Sequence, residues 1–251
     1  MMKVTLTNEI LSYITEIEHN RYKVSSVKLS KPVMNRLRKN SKKKSSYASN
    51  KIEGNPLSEK QVDEVIERDE RKHYLKPEQE VRNYFLALNF LEEKVSKKEK
   101  FSQKLILDVQ KLVEKGASKE KIGLRGPMPP GVLFAVYDSK TGNPDYIPPE
   151  YCDIPELLDE LVEYVNTTDD HPLIVAAVVH YQLVTIHPFE EGNGRTQRMY
   201  IEQLCQNNGR FEIDFTEATK EEMILASVQS ANVSNDLLEA LIYKCLVELV
   251  N

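Results

Sequence analysis

Residues 187–198 read His187-Pro188-Phe189-Glu190-Glu191-Gly192-Asn193-Gly194-Arg195-Thr196-Gln197-Arg198, an imidazole, two carboxylates, two glycines and two guanidiniums within twelve residues. Their order suits anion chemistry. Gly192 and Gly194 remove side chains where a backbone must approach a ligand or take a positive φ, and Asn193 is a favoured helix cap. The amides of residues 194–196 would then open a helix and point at one place, an arrangement that binds phosphate. Arg195 and Arg198, three apart, fall on one helical face and bring paired N–H donors for further phosphate oxygens. Glu191, beside the first glycine, could hold Mg²⁺ against those oxygens, because Mg²⁺ favours one or two carboxylates plus substrate phosphates. Pro188 and Phe189 would fix the turn and anchor it to the core. His187 is left as a base whose ordinary pKa of about 6.5 suits proton removal from a hydroxyl near neutrality.

Other chemistries fit this segment less well. It lacks the lysine and spacing of a Walker A loop and the third glycine of a dinucleotide fingerprint. His180 and His187 have no third ligand at zinc spacing, and no GxSxG or Cys–His arrangement is evident. A merely polar turn between two helices stays open on pattern alone.

The elements that must position these residues read as helical. Residues 173–186, LIVAAVVHYQLVTI, are apolar on nearly every side and open with Pro172, which predicts a core helix delivering His187 at its end; a buried strand competes, but the length favours helix. A helix over 194–206 follows, ending at Asn207-Asn208-Gly209. Upstream, helical periods cover 5–19, a charged helix opened by Ser58 with Gln61 three residues on, 78–96, and a stretch from Ser102 to Gly116 with a cap at each end. Further helices are expected over 154–165, 218–230 and 234–249. Between 123 and 151, proline and glycine cluster around Val132–Tyr137 and the turn Thr141-Gly142-Asn143-Pro144, which reads as a small β-hairpin.

Composition agrees with a mainly α globular chain. Its 251 residues hold 40% hydrophobic and 29% charged residues, 9 glycines, 12 prolines and no tryptophan, which excludes disordered, collagenous and disulfide-stapled classes. Cys152, Cys205 and Cys245 are odd in number and far apart, so inert thiols in a reducing cytoplasm are expected. The start has no secretory leader pattern and no apolar run reaches the ~20 residues needed to span a bilayer, so neither secretion nor a membrane is expected. Residues 21–51 carry eleven basic side chains and no acid, leaving −16 on the rest of a chain whose net charge is −5. We read that stretch as a solvated linker balancing an acidic body; nucleic acid is the alternative partner and is not favoured, because the stretch matches no nucleic-acid module.

The string HPFEEGNGRTQR resembles the signature of the Fic family, His-x-Phe-x-(Asp/Glu)-Gly-Asn-Gly-Arg-x-x-Arg, at every specified position. The preceding AAVVHYQLVTI resembles the family's core helix, and GLRGPMPPGVLFAVYDSKTGNPDYIPPEY its arginine-containing lead-in and flap. The resemblance covers roughly 79–246 and implies a mainly α, Fic-type helical bundle with a small β-hairpin flap. It implies transfer of AMP from ATP, with Mg²⁺, to a Tyr, Ser or Thr hydroxyl of a protein, releasing pyrophosphate. His187 would deprotonate the hydroxyl and Glu191 would bind Mg²⁺. Gly192, Asn193 and Gly194 would cradle the anion, Arg195 and Arg198 would hold the outer phosphates, and Asn232 would lie beside the adenine. Val132, Leu133, Phe134 and Tyr146 of the flap would dock the target by strand-like pairing. Gly194 and Arg198 separate the chain from the phosphotransferring branch resembling the Doc toxin, which carries a lysine and loses the last arginine there.

Upstream, the stretch Ser49-Asn50-Lys51-Ile52-Glu53-Gly54-Asn55 resembles the family's inhibitory motif, (Ser/Thr)-x-x-x-Glu-(Gly/Asn), and is followed by Pro56 and the helix-opening Ser58. Glu53 would pair in bidentate fashion with Arg198 and take the place of the γ-phosphate; in some members the equivalent glutamate also supports AMP removal. The expected division is residues 1–78, an N-terminal helical region with the basic linker and an inhibitory segment at about 45–57, and 79–251, the catalytic core with C-terminal helices. Self-modification and a homodimer are compatible with this reading. Transfer of UMP or phosphocholine, or a non-catalytic nucleotide-dependent regulator with a basic nucleic-acid-binding arm, are the alternatives.

Overall fold

The computed structural model describes residues 7–68, 73–117, 122–137 and 141–207. Asn232, Cys245 and the helices expected over 218–230 and 234–249 lie outside the described residues. Among those described, eight helices and one two-stranded antiparallel sheet follow in the order α1 (Asn8–Ser25), α2 (Lys31–Ile52), α3 (Glu59–Glu67), α4 (Lys76–Ser96), α5 (Gln103–Glu114), β1 (Val136–Tyr137), β2 (Pro144–Tyr146), α6 (Ile154–Thr167), α7 (Pro172–Ile186) and α8 (Asn193–Asn207). The mainly helical fold expected from the sequence is the fold observed.

Local chemistry sets the boundaries. Ser58 opens α3 with a reciprocal capping box: its Oγ accepts the Gln61 amide at 3.4 Å and its own amide donates to Gln61 Oε1 at 2.9 Å. Ser102 caps α5 by accepting the Leu105 amide at 3.2 Å. Pro172 occupies the first turn of α7, where a missing amide costs nothing, and α7 stops at His187, which takes the left-handed conformation (φ 46, ψ 60). The core forms where the apolar faces of α4, α5, α6, α7 and α8 meet, with Tyr84, Ile106, Leu158, Val179 and Tyr200 fully enclosed. The ladder is shorter than the β-branched run suggests: among the described residues, Val136 pairs with Tyr146 and Tyr137 with Pro144, while 132–135 carry no strand pairing.

The basic stretch is not a linker. Lys31–Ile52 is one helix, and acids on α3 and α4 pair with three of its six lysines: Lys43 lies 2.8 Å from Glu67, Lys39 2.9 Å from Glu67, and Lys42 2.8 Å from Glu92. Its last turns bury Ser45, Ser46, Ala48, Ser49 and Asn50. These side chains are too small and polar to register as an apolar face, yet their size lets α2 lie close against the bundle. Ala48 and Ile52 join the same core cluster as Tyr84, Leu88, Leu183 and Ile186, so the core crosses the border expected at residue 78.

Candidate functional site

The signature loop joins α7 to α8, and three neighbours hold it. From the lead-in, Leu124 bridges Phe189 and the Arg125 amide donates to the Pro188 carbonyl at 2.9 Å. From α5, Gln110 Nε2 donates to the Glu191 carbonyl at 3.2 Å while its Oε1 accepts the Gly123 amide at 3.1 Å. From within, Asn193 uses its side chain on both backbone groups of Phe189, at 3.1 and 2.8 Å, and Phe189 itself is buried. Asn193 is therefore a loop staple rather than the helix cap expected of it. The capping position falls to Gly192, whose carbonyl accepts the Thr196 amide at 2.9 Å, so the amides opening α8 begin one residue earlier than expected, at 193.

Each glycine has a carboxylate close against it. Gly192 takes φ +83, and a β-carbon there would stand 2.5 Å from Glu114 Oε1. A β-carbon on Gly194 would overlap the Glu53 carboxylate and stand 3.1 Å from Arg198 Nη1. Two carboxylates from distant elements thus press on the start of α8.

Each carboxylate is matched by one signature arginine. Arg198, 2% exposed, donates from Nη2 to Glu53 Oε1 at 2.6 Å, and from Nε and Nη2 to Ser49 Oγ and O at 2.8 and 3.1 Å. Its donors are divided between Glu53 and Ser49, where a fork presented wholly to Glu53 was expected. Gly54 takes φ +87 so that its amide and that of Asn55 turn back to the Lys51 and Asn50 carbonyls at 2.9 and 3.0 Å, a Schellman closure that leaves Glu53 at the end of α2 facing α8. Arg195 turns elsewhere. Its Nη2 donates to buried Glu114 Oε1 at 2.7 Å, and its Nη1 lies 3.7 Å from Glu80 Oε1. Burial raises the Glu114 carboxyl above the usual range against the pull of Arg195.

His187 stands at the rim, with its carbonyl held by Arg125 Nε at 2.9 Å and its ring 6.0 Å from that of Phe134. Burial first, then the Arg125 guanidinium, pushes its pKa down to about 4, so the imidazole is neutral and able to accept a proton. Glu191 is exposed beside the loop. Of the flap residues, Val132 and Leu133 are open to solvent, whereas Phe134 packs under Arg125 at 4.5 Å and the Tyr146 hydroxyl donates to the Thr185 carbonyl at 2.8 Å. The inward pair fastens the hairpin to α7; residues 132–135 themselves carry no ladder pairing. Among the described residues, no cluster of three or more His, Cys, Asp or Glu side chains gathers as an all-protein metal site, and no helix is long and apolar enough to cross a membrane.

Sequence reasoning missed Gln110, Glu114 and Glu80, named Asn55 only as part of the stretch around the inhibitory motif, and named Arg125 only as part of the lead-in. Gln110 and Glu114 did leave a signal: with Ile106 they form an i, i+4, i+8 row on the apolar face of α5, where a polar residue needs a buried partner.

A bundle of this topology with a loop of this kind between its two central helices defines a Fic fold. The family model for Fic/DOC matches residues 52–205, more than half of the chain, and the chain belongs to that family. Similar proteins include the protein adenylyltransferase VbhT of Bartonella schoenbuchensis, 43% identical over 67 residues that cover 27% of this chain and 14% of that protein. Another is the protein adenylyltransferase Fic of Drosophila grimshawi, 25% identical over 203 residues that cover 78% of this chain and 39% of its own. The chain therefore spans well under half the length of these curated relatives. In structure it is similar to a Fic domain containing signaling protein from Bacteroides thetaiotaomicron, with a TM-score of 0.74 at 19% identity and 95% of each chain covered.

Proposed function

We propose that this chain is an autoinhibited protein adenylyltransferase. What carries the reading is one arrangement: the Glu53 carboxylate lies over Gly194 and on Arg198, so an anionic oxygen already sits at the opening of α8, near a neutral histidine. Displacing Glu53 frees the same donors for a nucleotide phosphate.

In the productive complex, His187 takes the proton from a Tyr, Ser or Thr hydroxyl of the target protein. The hydroxyl oxygen attacks the α-phosphorus of ATP, the bond to the bridging oxygen breaks, and pyrophosphate leaves with that electron pair. The protein's work is positioning and charge neutralisation, as phosphoryl-type transfer requires. The amides opening α8 and Arg198 stabilise the departing oxygens. Arg195 acts at one remove, bracing α8 against α5 through Glu114. The donor set suits Mg²⁺: one exposed carboxylate, Glu191, with its backbone pinned by Gln110, is what an ion held partly by substrate phosphates needs. Bound there, Mg²⁺ would neutralise phosphate charge. Val132 and Leu133, the open residues of the flap, are the surface on which a target segment would lie.

The test is incorporation of label from α-labelled ATP with Mg²⁺ into the protein itself and into added proteins, with α-labelled UTP alongside. In a Glu53→Gly background, label is expected from ATP, and none after His187→Ala is added. Equal labelling with and without His187 would overturn the mechanism; labelling from UTP alone would overturn the donor.

A further inference from the structure

The brake segment needs something to hold it in place, because Glu53 sits at a helix end, where backbone readily frays, and its side chain is 37% exposed. We propose that Asn55, which lies outside the inhibitory motif, is the latch that keeps Glu53 seated on Arg198. The proposal rests on the autoinhibited reading above.

Three elements meet on this one amide. Asn55 Nδ2 donates to the Pro77 carbonyl at 3.0 Å and to Glu80 Oε2 at 2.9 Å, both in the opening turns of α4. Its Oδ1 accepts the Leu57 amide at 3.1 Å, fixing the chain that leads into α3. Its backbone amide closes the end of α2 on the Asn50 carbonyl at 3.0 Å. Both side-chain donors and the acceptor are thus engaged, and the exit of α2 is tied to α4 two residues beyond Glu53. Glu80 extends the tie: its other oxygen lies 3.7 Å from Arg195 Nη1, on the same helix as Arg198. Besides the Ser49 contacts to Arg198, Glu53 itself is therefore tied to α8 directly through Arg198 and, two residues on, indirectly through Asn55, Glu80 and Arg195.

Asn55 touches neither the loop that takes the phosphates nor His187. Losing it should shift the population from seated to released brake without removing any group the reaction uses. Removing a hydrogen bond to a charged acceptor changes such a population about tenfold. A gain in rate is the decisive readout, since a role in folding alone would lower activity.

The experiment compares wild type, Asn55→Ala, Asn55→Asp, Glu53→Gly and the Asn55→Ala, Glu53→Gly pair in the full chain. One measurement is the initial rate of self-labelling from α-labelled ATP. The other is hydrogen exchange of the Gly54 and Asn55 amides without nucleotide. We expect Asn55→Ala to label about tenfold faster than wild type. Asn55→Asp, which keeps the acceptor but loses the donors and faces Glu80 with like charge, should label at least as fast as Asn55→Ala. The pair should be no faster than Glu53→Gly alone, because the latch acts through Glu53. Exchange at residues 54 and 55 should quicken about tenfold in Asn55→Ala. Unchanged exchange overturns the latch, whatever the labelling does. Wild-type labelling by Asn55→Ala while Glu53→Gly is fast also overturns it and leaves the function standing. Quickened exchange with no labelling by any variant keeps the latch and sinks the adenylyltransferase reading.

Discussion

Replacing Glu53 is the perturbation whose size the geometry defines most directly. One charge-assisted hydrogen bond of 2.6 Å joins Glu53 to Arg198, and bonds of this type contribute about 1.5–3 kcal/mol. Because the Glu53 side chain is 37% exposed, solvent screens part of that, and about 1–2 kcal/mol is the appropriate range. At about 1.4 kcal/mol per decade, Glu53→Gly should raise the self-labelling rate about 5- to 30-fold. Glu53→Gln retains an acceptor oxygen but no charge, so it should fall between wild type and Glu53→Gly. Stability should fall by about 1–2 kcal/mol, because buried Arg198 loses its anion while keeping both contacts to Ser49. The assay is the initial rate of label transfer from α-labelled ATP at subsaturating nucleotide, with thermal melts in parallel. A Glu53→Gly rate equal to wild type would refute the reasoning. So would a Glu53→Gln rate equal to wild type, which would mean that charge has no part in the brake.

Other perturbations separate the roles of neighbouring groups. With the His187 pKa near 4, the rate of Glu53→Gly should stay flat from about pH 8 to 5 and fall only as the imidazole gains its proton; a fall centred on pH 6.5 would contradict the buried setting. His180 is fully enclosed, neither ring nitrogen has a hydrogen-bond partner among the described residues, and burial pushes its pKa down to about 3. Because the unfolded chain takes up that proton near pH 6.5 and the folded chain does not, the contribution of His180 is intact above pH 6.5 and lost as pH falls from there towards 3. His180→Leu should therefore flatten the decline of Tm below pH 6.5, and an unaltered slope would assign the acid sensitivity elsewhere. Gly192→Ala adds strain at φ +83 and a contact at 2.5 Å with Glu114, so a loss of about 2–4 kcal/mol and of labelling is expected from melts and rates. Glu114→Ala leaves Arg195 buried without its main partner, and should cost about 3–5 kcal/mol by chemical denaturation, where a loss under 1 would refute a structural role for the pair.

How much of this was legible depended on the kind of signal each residue leaves. Motifs that act through their own backbone read correctly: the Ser58 and Ser102 caps, the Pro172 start, the apolar α7 and the positive φ at Gly192. Where function depends on distant partners, the sequence was silent apart from Glu53 and Arg198, whose pairing only the family resemblance implied. Arg195 sits beside Arg198 in the chain and shares its helical face, so both pointed to phosphate; only the arrival of Glu114 and Glu80 from α5 and α4 turns Arg195 inward. Helix α2 was missed for a related reason. Its buried face is built of Ser45, Ser46, Ala48 and Ser49, and hydrophobic periodicity cannot register a face made of small polar side chains whose partners are Arg198 and Glu202 on α8. Phe134 and Tyr146, expected to face a target, are held inward by Arg125 and the Thr185 carbonyl, contacts that no local pattern announces.

The loop is built around two Glu–Arg pairs of opposite character. Glu114 and Arg195 are 3% and 8% exposed, so water cannot replace either partner and the pair is a fixed brace beneath Gly192. Glu53 and Arg198 share the geometry but differ in access: the arginine is 2% exposed and the glutamate 37%. A buried guanidinium needs an anion, and an exposed carboxylate on a helix end can leave at modest cost once another anion arrives. The phosphates of a nucleotide meet that need, so the asymmetry in burial makes one pair permanent and the other exchangeable. On the proposed function, this would give the second arginine of the signature, rather than the first, the role of deciding whether the site holds a glutamate or a phosphate.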